Sequence, residues 1–241
     1  EKKGARILPS APAHEFYESI SWGLGEIARA SIRLRRTVQH GGITLATYPG
    51  IASFWLLPRL EAFRRQAAGG GVRVVTADLD ADIPLAECDC AILFGAGDWP
   101  GFEARLLLRE EVVPVVAPAM AEAWRGCSAG ELLARAPLIA LEDPERRWID
   151  WRRWADHHAP GAEEPDYVLR VTNHGIAITQ ALMGHGIALG WRGMLADLIE
   201  SGTLVELDFA PVTTDSGYHF IAPPGFSETA RGKGLLAVLD R

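Results

Sequence analysis

The sequence predicts an α/β protein with two lobes, preceded by one long helix. Strand-like and helix-like patterns alternate from residue 43 to the C-terminus, which is typical of parallel sheets covered by helices. About eight strand patterns without an internal repeat favour two α/β lobes over a single wide sheet. The first forty residues differ from the rest, because they carry one long amphipathic helical pattern and end near a glycine pair.

Composition is that of an ordinary globular protein, since the 241 residues are 48% hydrophobic and 23% charged. No apolar run approaches the ~20 residues of a membrane span, and the N-terminus lacks the apolar core of a secretory signal. Three cysteines provide no disulfide framework, which favours a reducing, cytoplasmic compartment. The net charge of −7 argues against nucleic-acid binding by these residues themselves.

Residues 11–36 predict a helix of roughly 25 residues with a narrow apolar seam. Apolar side chains recur along it at helical spacing: Phe16, Ile20, Leu24, Ile27 and Leu34. Such a seam suits a partner helix, as in a coiled coil, so these five residues are predicted to form oligomer contacts. The alternative is a surface helix that folds back on its own domain. The segment His40-Gly41-Gly42 then marks a domain boundary.

The elements that follow are predicted from periodicity and from breaker residues. Strand patterns cover 43–47, 72–76, 89–94, 112–116, 138–141, 167–171, 187–191 and 218–222. Helix patterns cover 51–66, 128–135, 147–158, 175–183, 194–200 and 227–240, and a further segment covers 204–207. Ser128 stands three residues before Glu131, which is the spacing of a capping box. Asn173 precedes a helix as an N-cap does, and Gly184 follows the same helix as a C-terminal glycine does.

Motifs of catalysis or of cofactor binding are not found in the sequence. Gly95-Ala96-Gly97 follows a strand, but Pro100 stands where a dinucleotide-binding turn needs its third glycine. Cys88-Asp89-Cys90 could ligate a soft metal, although small buried side chains on a strand are the favoured reading. Asp156-His157-His158 is better explained as a solvated helix C-terminus. We therefore expect neither a metal site, nor a cofactor, nor an enzyme.

The turn Tyr48-Pro49-Gly50 joins a strand directly to a helix and is the strongest candidate for a binding site. A helix N-terminus carries unpaired N–H groups and a partial positive charge, which suit a carboxylate. Ser53 adds a hydroxyl, and Thr172-Asn173-His174 forms a similar turn later in the chain. The alternative is that both are ordinary strand-to-helix connections. A third feature is the tryptophan series 148, 151 and 154, interpreted as core with Trp148 allowed at a pocket rim.

Three motifs, in order along the chain, resemble those of the LysR-type transcriptional regulators, in particular the branch of the glycine-cleavage operon activator. They are W-L-x-P-R-L-x-x-F at 55–63, A-I-x-x-G-x-G-x-W-P-G at 91–101 and A-x-x-G-x-G-I-A-L-G at 181–190. The resemblance implies a type 2 periplasmic-binding-protein-like fold of two hinged α/β lobes. Residues 1–40 would be the end of a wing and the linker helix, 41–116 plus 213–241 lobe I, and 117–212 lobe II.

The same resemblance implies a ligand-responsive, DNA-binding transcription regulator that forms dimers or tetramers. DNA would be bound by a winged helix-turn-helix that these residues do not include. The effector would bind between the lobes, at residues carried over from the family pattern: Tyr48, Pro49, Gly50, Ile51, Ser53, Thr76, Gly95, Trp99, Asn173, His174 and Trp191. A carboxylate, an amino acid or a betaine-like zwitterion is expected as effector, because helix N-termini attract anions and aromatic rings attract cations. The alternative function is a solute-binding protein of a transporter, which has the same two-lobed fold.

Overall fold

The computed structural model describes residues 42–64, 71–143 and 146–240, together with Lys2–Lys3, Arg6–Ile7 and residues 10, 13, 16, 17 and 20. Near the N-terminus, strands β1 (Lys2–Lys3) and β2 (Arg6–Ile7) pair antiparallel. The other described strands form one nine-stranded sheet. They are β3 (Ile43–Thr47), β4 (Val72–Thr76), β5 (Cys90–Gly95), β6 (Glu103–Val116), β7 (Leu138–Leu141), β8 (Tyr167–Val171), β9 (Ile187–Trp191), β10 (Val205–Glu206) and β11 (Val212–Ala222).

The strand order is β4-β3-β5-β11-β6-β9-β7-β8, with β10 beside β6. The first strand group, β3 to β5, is parallel, and so is the second strand group, β7 to β9. Between them, β11 and β6 run antiparallel to each other and to their outer neighbours. The predicted α/β class is confirmed, but the expectation of parallel strand pairing is wrong at the centre of the sheet. Hydrogen bonding is continuous there because both strand groups pair with the two long strands.

The ladder between the two central strands shifts register at two places, and the larger shift lies before Gly217 of β11. Thr213 pairs with Glu111 and Gly217 pairs with Arg109, so residues 214–216 of β11 lie opposite Glu110 alone. An insertion of this kind bends the strand locally and leaves the extra residues outside the ladder. The bulge therefore marks the point in the sheet centre where the regular pairing of β6 and β11 is interrupted.

Helices cover the sheet and connect most of its strands. Helix α1 consists of Pro49–Ile51, a π-helical turn Ala52–Leu56 and Leu57–Arg64; the others are α2 (Pro118–Ala121), α3 (Ala129–Arg135), α4 (Trp151–His158), α5 (His174–Leu182), α6 (Ala196–Glu200) and α7 (Ala230–Leu239). The capping box of Ser128 and Glu131 is confirmed. Asn173 caps α5, because its Oδ1 accepts a hydrogen bond from Ile176 N at 3.2 Å. Gly184 ends that helix with a φ of 75°, a left-handed conformation that glycine adopts without strain.

Helix α4 begins four residues later than the sequence pattern indicated. Asp150 has an extended backbone, and its carboxylate accepts a hydrogen bond from Arg153 N at 2.8 Å, so the cap lies at Asp150. Trp151 and Trp154 point into the core, as predicted, and Trp151 Nε1 donates to Ile139 O at 2.8 Å. Trp148 therefore lies in the connection before the helix and is not on the helix face that carries Trp151 and Trp154.

The predicted oligomer seam falls largely outside the described residues. Phe16 and Ile20 are helical and exposed, at 67% and 44% of their surface. Leu24, Ile27 and Leu34 lie outside the part of the chain that the structure describes, so the seam stays a prediction. Among the described residues, none of the helices has both the length and the apolar character that crossing a membrane requires.

Candidate functional site

The carboxyl ends of the two strand groups face each other across a cleft. Tyr48 and the start of α1 follow β3, and Asp78 follows β4. From the opposite side, Trp148 lies between β7 and α4, His174 begins α5 after β8, and Trp191 ends β9. Ligands of open α/β folds usually bind in the crevice beyond the carboxyl ends of the strands, which is where this cleft lies.

The cleft is closed in this structure. Its lining comes from both sides: Tyr48, Pro49, Gly50, Ile51, Asp78, Trp148, His174, Trp191 and Tyr218. The enclosed cavity has a volume of about 10 Å³, which is no more than a single water molecule requires. A metabolite therefore needs the two sides to move apart before it can enter.

Aromatic rings fill the closed cleft, and Trp148 connects its two sides. The ring centroid of Trp148 lies 5.8 Å from that of Tyr48 and 6.0 Å from that of Trp191. Phe94 and Tyr218 extend the cluster on one side, and His174, 4.7 Å from Trp191, extends it on the other. The rings meet edge to face, which is the arrangement that their quadrupoles favour. The closed state is thus stabilised by apolar and aromatic contacts between the sides.

The N-termini of α1 and α5 are in direct contact. A β-carbon on Gly50 would lie 3.0 Å from His174 Nδ1 and 3.5 Å from Gly175 N. A β-carbon on Gly175 would lie 3.7 Å from the Cα of Gly50. Two glycines therefore allow the backbones to approach. Because both helix ends carry partial positive charge, the contact favours an anion nearby.

His174 is neutral in the closed cleft and leaves one acceptor unused. Its Nε2 lies 3.3 Å from Leu189 O, and a carbonyl oxygen only accepts, so the proton is on Nε2. Burial lowers the pKa of His174 to about 4. At neutral pH, Nδ1 therefore carries a lone pair, and within the described structure it has no hydrogen-bond partner. Trp148 Nε1, a donor, is likewise buried without a partner among the described residues.

Two polar contacts connect the sides at the cleft mouth, and both involve the loop after β4. Asn173 Nδ2 donates to Asp78 Oδ1 at 2.7 Å. Asp80 accepts hydrogen bonds from Arg147 Nη1 and from the hydroxyl of Tyr48. Burial and the Asp80 carboxylate raise the pKa of Tyr48, so its phenol stays protonated and donates. The guanidinium of Arg147 also lies over the Trp148 ring, 4.7 Å from its centroid.

Glu110 is a buried carboxyl group behind the cleft wall, with only 1% of its surface exposed. It accepts hydrogen bonds from Trp191 Nε1 at 3.3 Å and from the hydroxyl of Thr214 in the bulge of β11. Burial raises the pKa of Glu110, although these two hydrogen bonds favour its ionised form. Glu110 thus joins the ladder break at the sheet centre to a cleft tryptophan.

The predicted site residues fall into three sets. Six line the closed cavity: Tyr48, Pro49, Gly50, Ile51, His174 and Trp191. Asn173 lies beside them and bridges to Asp78, as described above. The remaining four lie away from that lining: Ser53 and Thr76 are exposed, Gly95 contacts the Trp99 ring, and Trp99 packs against His219 at 5.2 Å. Their roles in effector binding remain predictions.

Several residues that the structure brings to the cleft are not among the predicted site residues. Asp78 and Asp80 follow β4, so the rule that ligands lie beyond strand carboxyl ends could have identified them. Glu110 is a carboxylate beside the apolar run Val112–Val116, which is a signal for a buried polar role. Arg147 and Tyr218 carried no such signal, because their position depends on long-range packing.

Comparison with known proteins agrees with this geometry. Residues 36–241 match the family model described as the LysR substrate binding domain. The glycine cleavage system transcriptional activator of Escherichia coli (strain K12) is 27% identical over 209 residues, which are 85% of this chain and 66% of that protein. The transcriptional activator AmpR of Rhodobacter capsulatus is 28% identical over 221 residues, covering 90% of this chain and 72% of AmpR. The chain thus spans slightly less than two thirds of the first of these relatives.

A solved structure shows the same fold. The effector domain of the transcriptional regulator AmpR of Pseudomonas aeruginosa superimposes with a TM-score of 0.63 at 24% identity, over 82% of this chain and 93% of that domain. The predicted periplasmic-binding-protein-like type 2 fold is therefore confirmed. These relatives are transcriptional regulators rather than enzymes, and they give no support to the transporter alternative. With most of its length matched by the family model, the chain belongs to the family of LysR substrate binding domains.

Proposed function

We propose that the chain is the effector-binding region of a ligand-responsive transcription regulator that works in the cytoplasm and is not an enzyme. Its matched relatives are transcription activators, and the fold presents a cleft between two groups of strands. DNA is bound by a winged helix-turn-helix outside these 241 residues. A homodimer or homotetramer forms through the seam of Phe16, Ile20, Leu24, Ile27 and Leu34.

In this proposal the two strand groups belong to lobes that move as units, with 41–116 plus 213–241 as lobe I and 117–212 as lobe II. The bulge of residues 214–216 supports a hinge beside the 212/213 boundary, because the β6–β11 ladder is already interrupted there. A ligand shifts the relative orientation of the lobes only if its affinity differs between open and closed states. The closed cleft lacks room for a metabolite, so the effector binds a conformation in which the aromatic cluster has separated.

The effector that the cleft chemistry fits best is a small zwitterion that has both a carboxylate and an N–H group. The observation that carries this proposal is the pair of buried, unpartnered atoms of opposite type, the donor Trp148 Nε1 and the acceptor His174 Nδ1. Leaving a buried polar atom unsatisfied costs about 1–3 kcal/mol. A carboxylate oxygen accepts from Trp148, and an ammonium N–H donates to His174. An amino acid meets both requirements, whereas a betaine, which has no N–H, and a simple carboxylate each meet one.

Thermal unfolding in the presence of amino acids, simple carboxylates and quaternary amines tests this proposal. A ligand at 100 times its Kd adds about 2.7 kcal/mol to the free energy of unfolding. That free energy corresponds to an increase in Tm of about 5–10 °C for a chain of this size. We expect amino acids to give the largest increase. If only uncharged aromatic compounds raise Tm, the zwitterion proposal is wrong.

A matched pair of variants locates the binding site. Trp148→Phe keeps an aromatic ring in the cleft but removes the N–H, and it should reduce the ligand-induced increase in Tm. Trp154→Phe makes the same chemical change in the core, where Trp154 Nε1 is also buried and unpartnered within the described structure. The Trp154→Phe variant should keep the full ligand-induced increase, measured against its own ligand-free Tm. An equal reduction in both variants contradicts binding in this cleft.

A further inference from the structure

We propose that the Asp80 carboxylate occupies the position of an effector carboxylate, and that an effector binds by replacing Asp80 on Arg147. The proposal rests on the proposed function, because it requires that the ligand enter this cleft. It adds Arg147 and Tyr48 as the groups that bind the ligand carboxylate. It also makes the loop after β4 a competitor for the site.

The hydrogen bonds of Asp80 are those that a bound carboxylate would receive. One oxygen, Oδ1, accepts from the guanidinium of Arg147 and from the hydroxyl of Tyr48. The two donors come from opposite sides of the cleft, since Tyr48 follows β3 and Arg147 follows β7. Charge-assisted hydrogen bonds of this kind are the strong ones in carboxylate recognition. The Asp80 side chain thus makes the hydrogen bonds that the carboxylate of a ligand would make.

The cleft mouth favours an anion whatever its source. The N-terminal turns of α1 and α5 touch at Gly50 and Gly175, so two partially positive helix ends are brought together. The Arg147 guanidinium adds a full positive charge beside them. Asp78 and Asp80 supply the balancing negative charges from one loop. Removing one of these carboxylates leaves positive charge unbalanced, and another anion can then neutralise it.

Asp80 is placed so that it can be exchanged, whereas Arg147 is held in position. The Asp80 side chain is 40% exposed, and ion pairs open to solvent are weak. Arg147 is only 17% exposed, and its backbone N–H donates to Asp143 at 2.6 Å. A second contact, 3.8 Å from Arg147 Nη2 to Asp143 Oδ1, restrains the guanidinium from its own side of the cleft. Arg147 therefore keeps its orientation when Asp80 leaves.

The test compares Asp80→Asn with Asp82→Asn, an equal change of charge at an exposed position in the same loop. Sodium acetate is the carboxylate probe, titrated against sodium chloride at equal ionic strength so that general screening is matched. Binding is followed by tryptophan emission, because the Trp148 ring lies under the Arg147 guanidinium. Repeating the titration in Trp154→Phe removes the emission of a core tryptophan and leaves the cleft tryptophans in place.

We expect the acetate midpoint of Asp80→Asn to be about fivefold lower than that of the wild-type chain, because the internal competitor is weakened. Asp82→Asn should keep the wild-type midpoint. Arg147→Gln should abolish the response, and Arg147→Lys, which keeps the charge without the planar fork, should weaken it. Circular dichroism of each variant establishes that it is folded.

Equal midpoints in Asp80→Asn and Asp82→Asn overturn the exchange, as does an acetate response that survives in folded Arg147→Gln. The absence of any acetate response in Asp80→Asn also overturns it, since Arg147 then has its weakest competitor. Failure of the exchange is distinguishable from failure of the proposed function. If amino acids still raise Tm in a Trp148-dependent way, the cleft remains the effector site and only the role of Asp80 is refuted.

Discussion

His174 offers a quantitative test of the closed cleft through the pH dependence of stability. Burial lowers its pKa from 6.5 to about 4 in the folded chain. Between these values the unfolded chain binds more protons than the folded chain does, so the free energy of unfolding falls as the pH is lowered. The contribution is fully present above pH 6.5 and is lost as the pH approaches 4. A difference of 2.5 pKa units corresponds to about 3 kcal/mol, of which about 2.5 kcal/mol is lost by pH 4.5.

The assay is urea unfolding of the wild-type chain and of His174→Gln between pH 7.5 and pH 4.5. Glutamine can still donate to Leu189 O but does not titrate, so the variant should lose about 2–3 kcal/mol less than the wild type over this range. The carboxyl groups of Asp78 and Glu110 are present in both proteins and cancel in the comparison. His185→Gln, the same substitution at an exposed histidine, is the control for a general effect of the exchange. Parallel profiles for His174→Gln and the wild type refute a buried, neutral His174.

Two further predictions concern the same closed state. Gly50→Ala should increase the quenching of tryptophan emission by acrylamide, because its new β-carbon would lie 3.0 Å from His174 Nδ1 and hold the cleft partly open. The control is Gly71→Ala, where nothing lies within 4 Å of the added β-carbon. Equal quenching in the two variants contradicts the prediction. For Glu110→Gln, the stability of the wild type relative to the variant should fall as the pH rises above the ordinary Glu pKa, because burial raises the pKa of Glu110. If urea unfolding shows that the stability of the wild type relative to Glu110→Gln increases with pH, the prediction is contradicted.

The features that depend on local chemistry could be predicted from the sequence. The capping residues Ser128 and Asn173 have the predicted hydrogen bonds, because a cap satisfies backbone groups within three residues of itself. Gly184 adopts the left-handed conformation expected of a glycine that ends a helix. The position of the cleft at strand carboxyl ends also follows from the alternation of strands and helices.

The sheet centre could not be predicted, because the burial along its strands is uneven. Residues 103–109 of β6 are partly or fully exposed although they include three leucines, and the buried apolar run lies at residues 112–116. Similarly, β11 begins six residues before the predicted strand, and residues 213–215 are exposed. Strands can be recognised in a sequence when they are uniformly apolar or alternate regularly between apolar and polar residues, and these segments show neither pattern. Their pairing across more than a hundred residues defines them instead.

The contacts that close the cleft were also beyond sequence reasoning. Arg147 and Asp80 are 67 residues apart, and neither shows by its local pattern that the other is its partner. The sequence predicts that Trp148 could lie at a pocket rim. Its place at the centre of the aromatic cluster, however, depends on the helix starting after Asp150. A shift of one helix start by four residues thus decides whether this tryptophan belongs to the core or to the cleft.

In the proposed regulator, the position of Glu110 explains how occupancy of the cleft reaches the sheet centre. Its carboxylate binds Trp191 in the cleft wall on one side and Thr214 in the bulge of β11 on the other. An effector that moves the lobes apart displaces Trp191, in lobe II, relative to Glu110, in lobe I, and so changes the hydrogen bond between them. Because a buried carboxylate that loses a donor is costly, the bulge must adjust with the tryptophan rather than independently of it. Separation of the aromatic cluster and movement at the hinge are therefore expected to occur together.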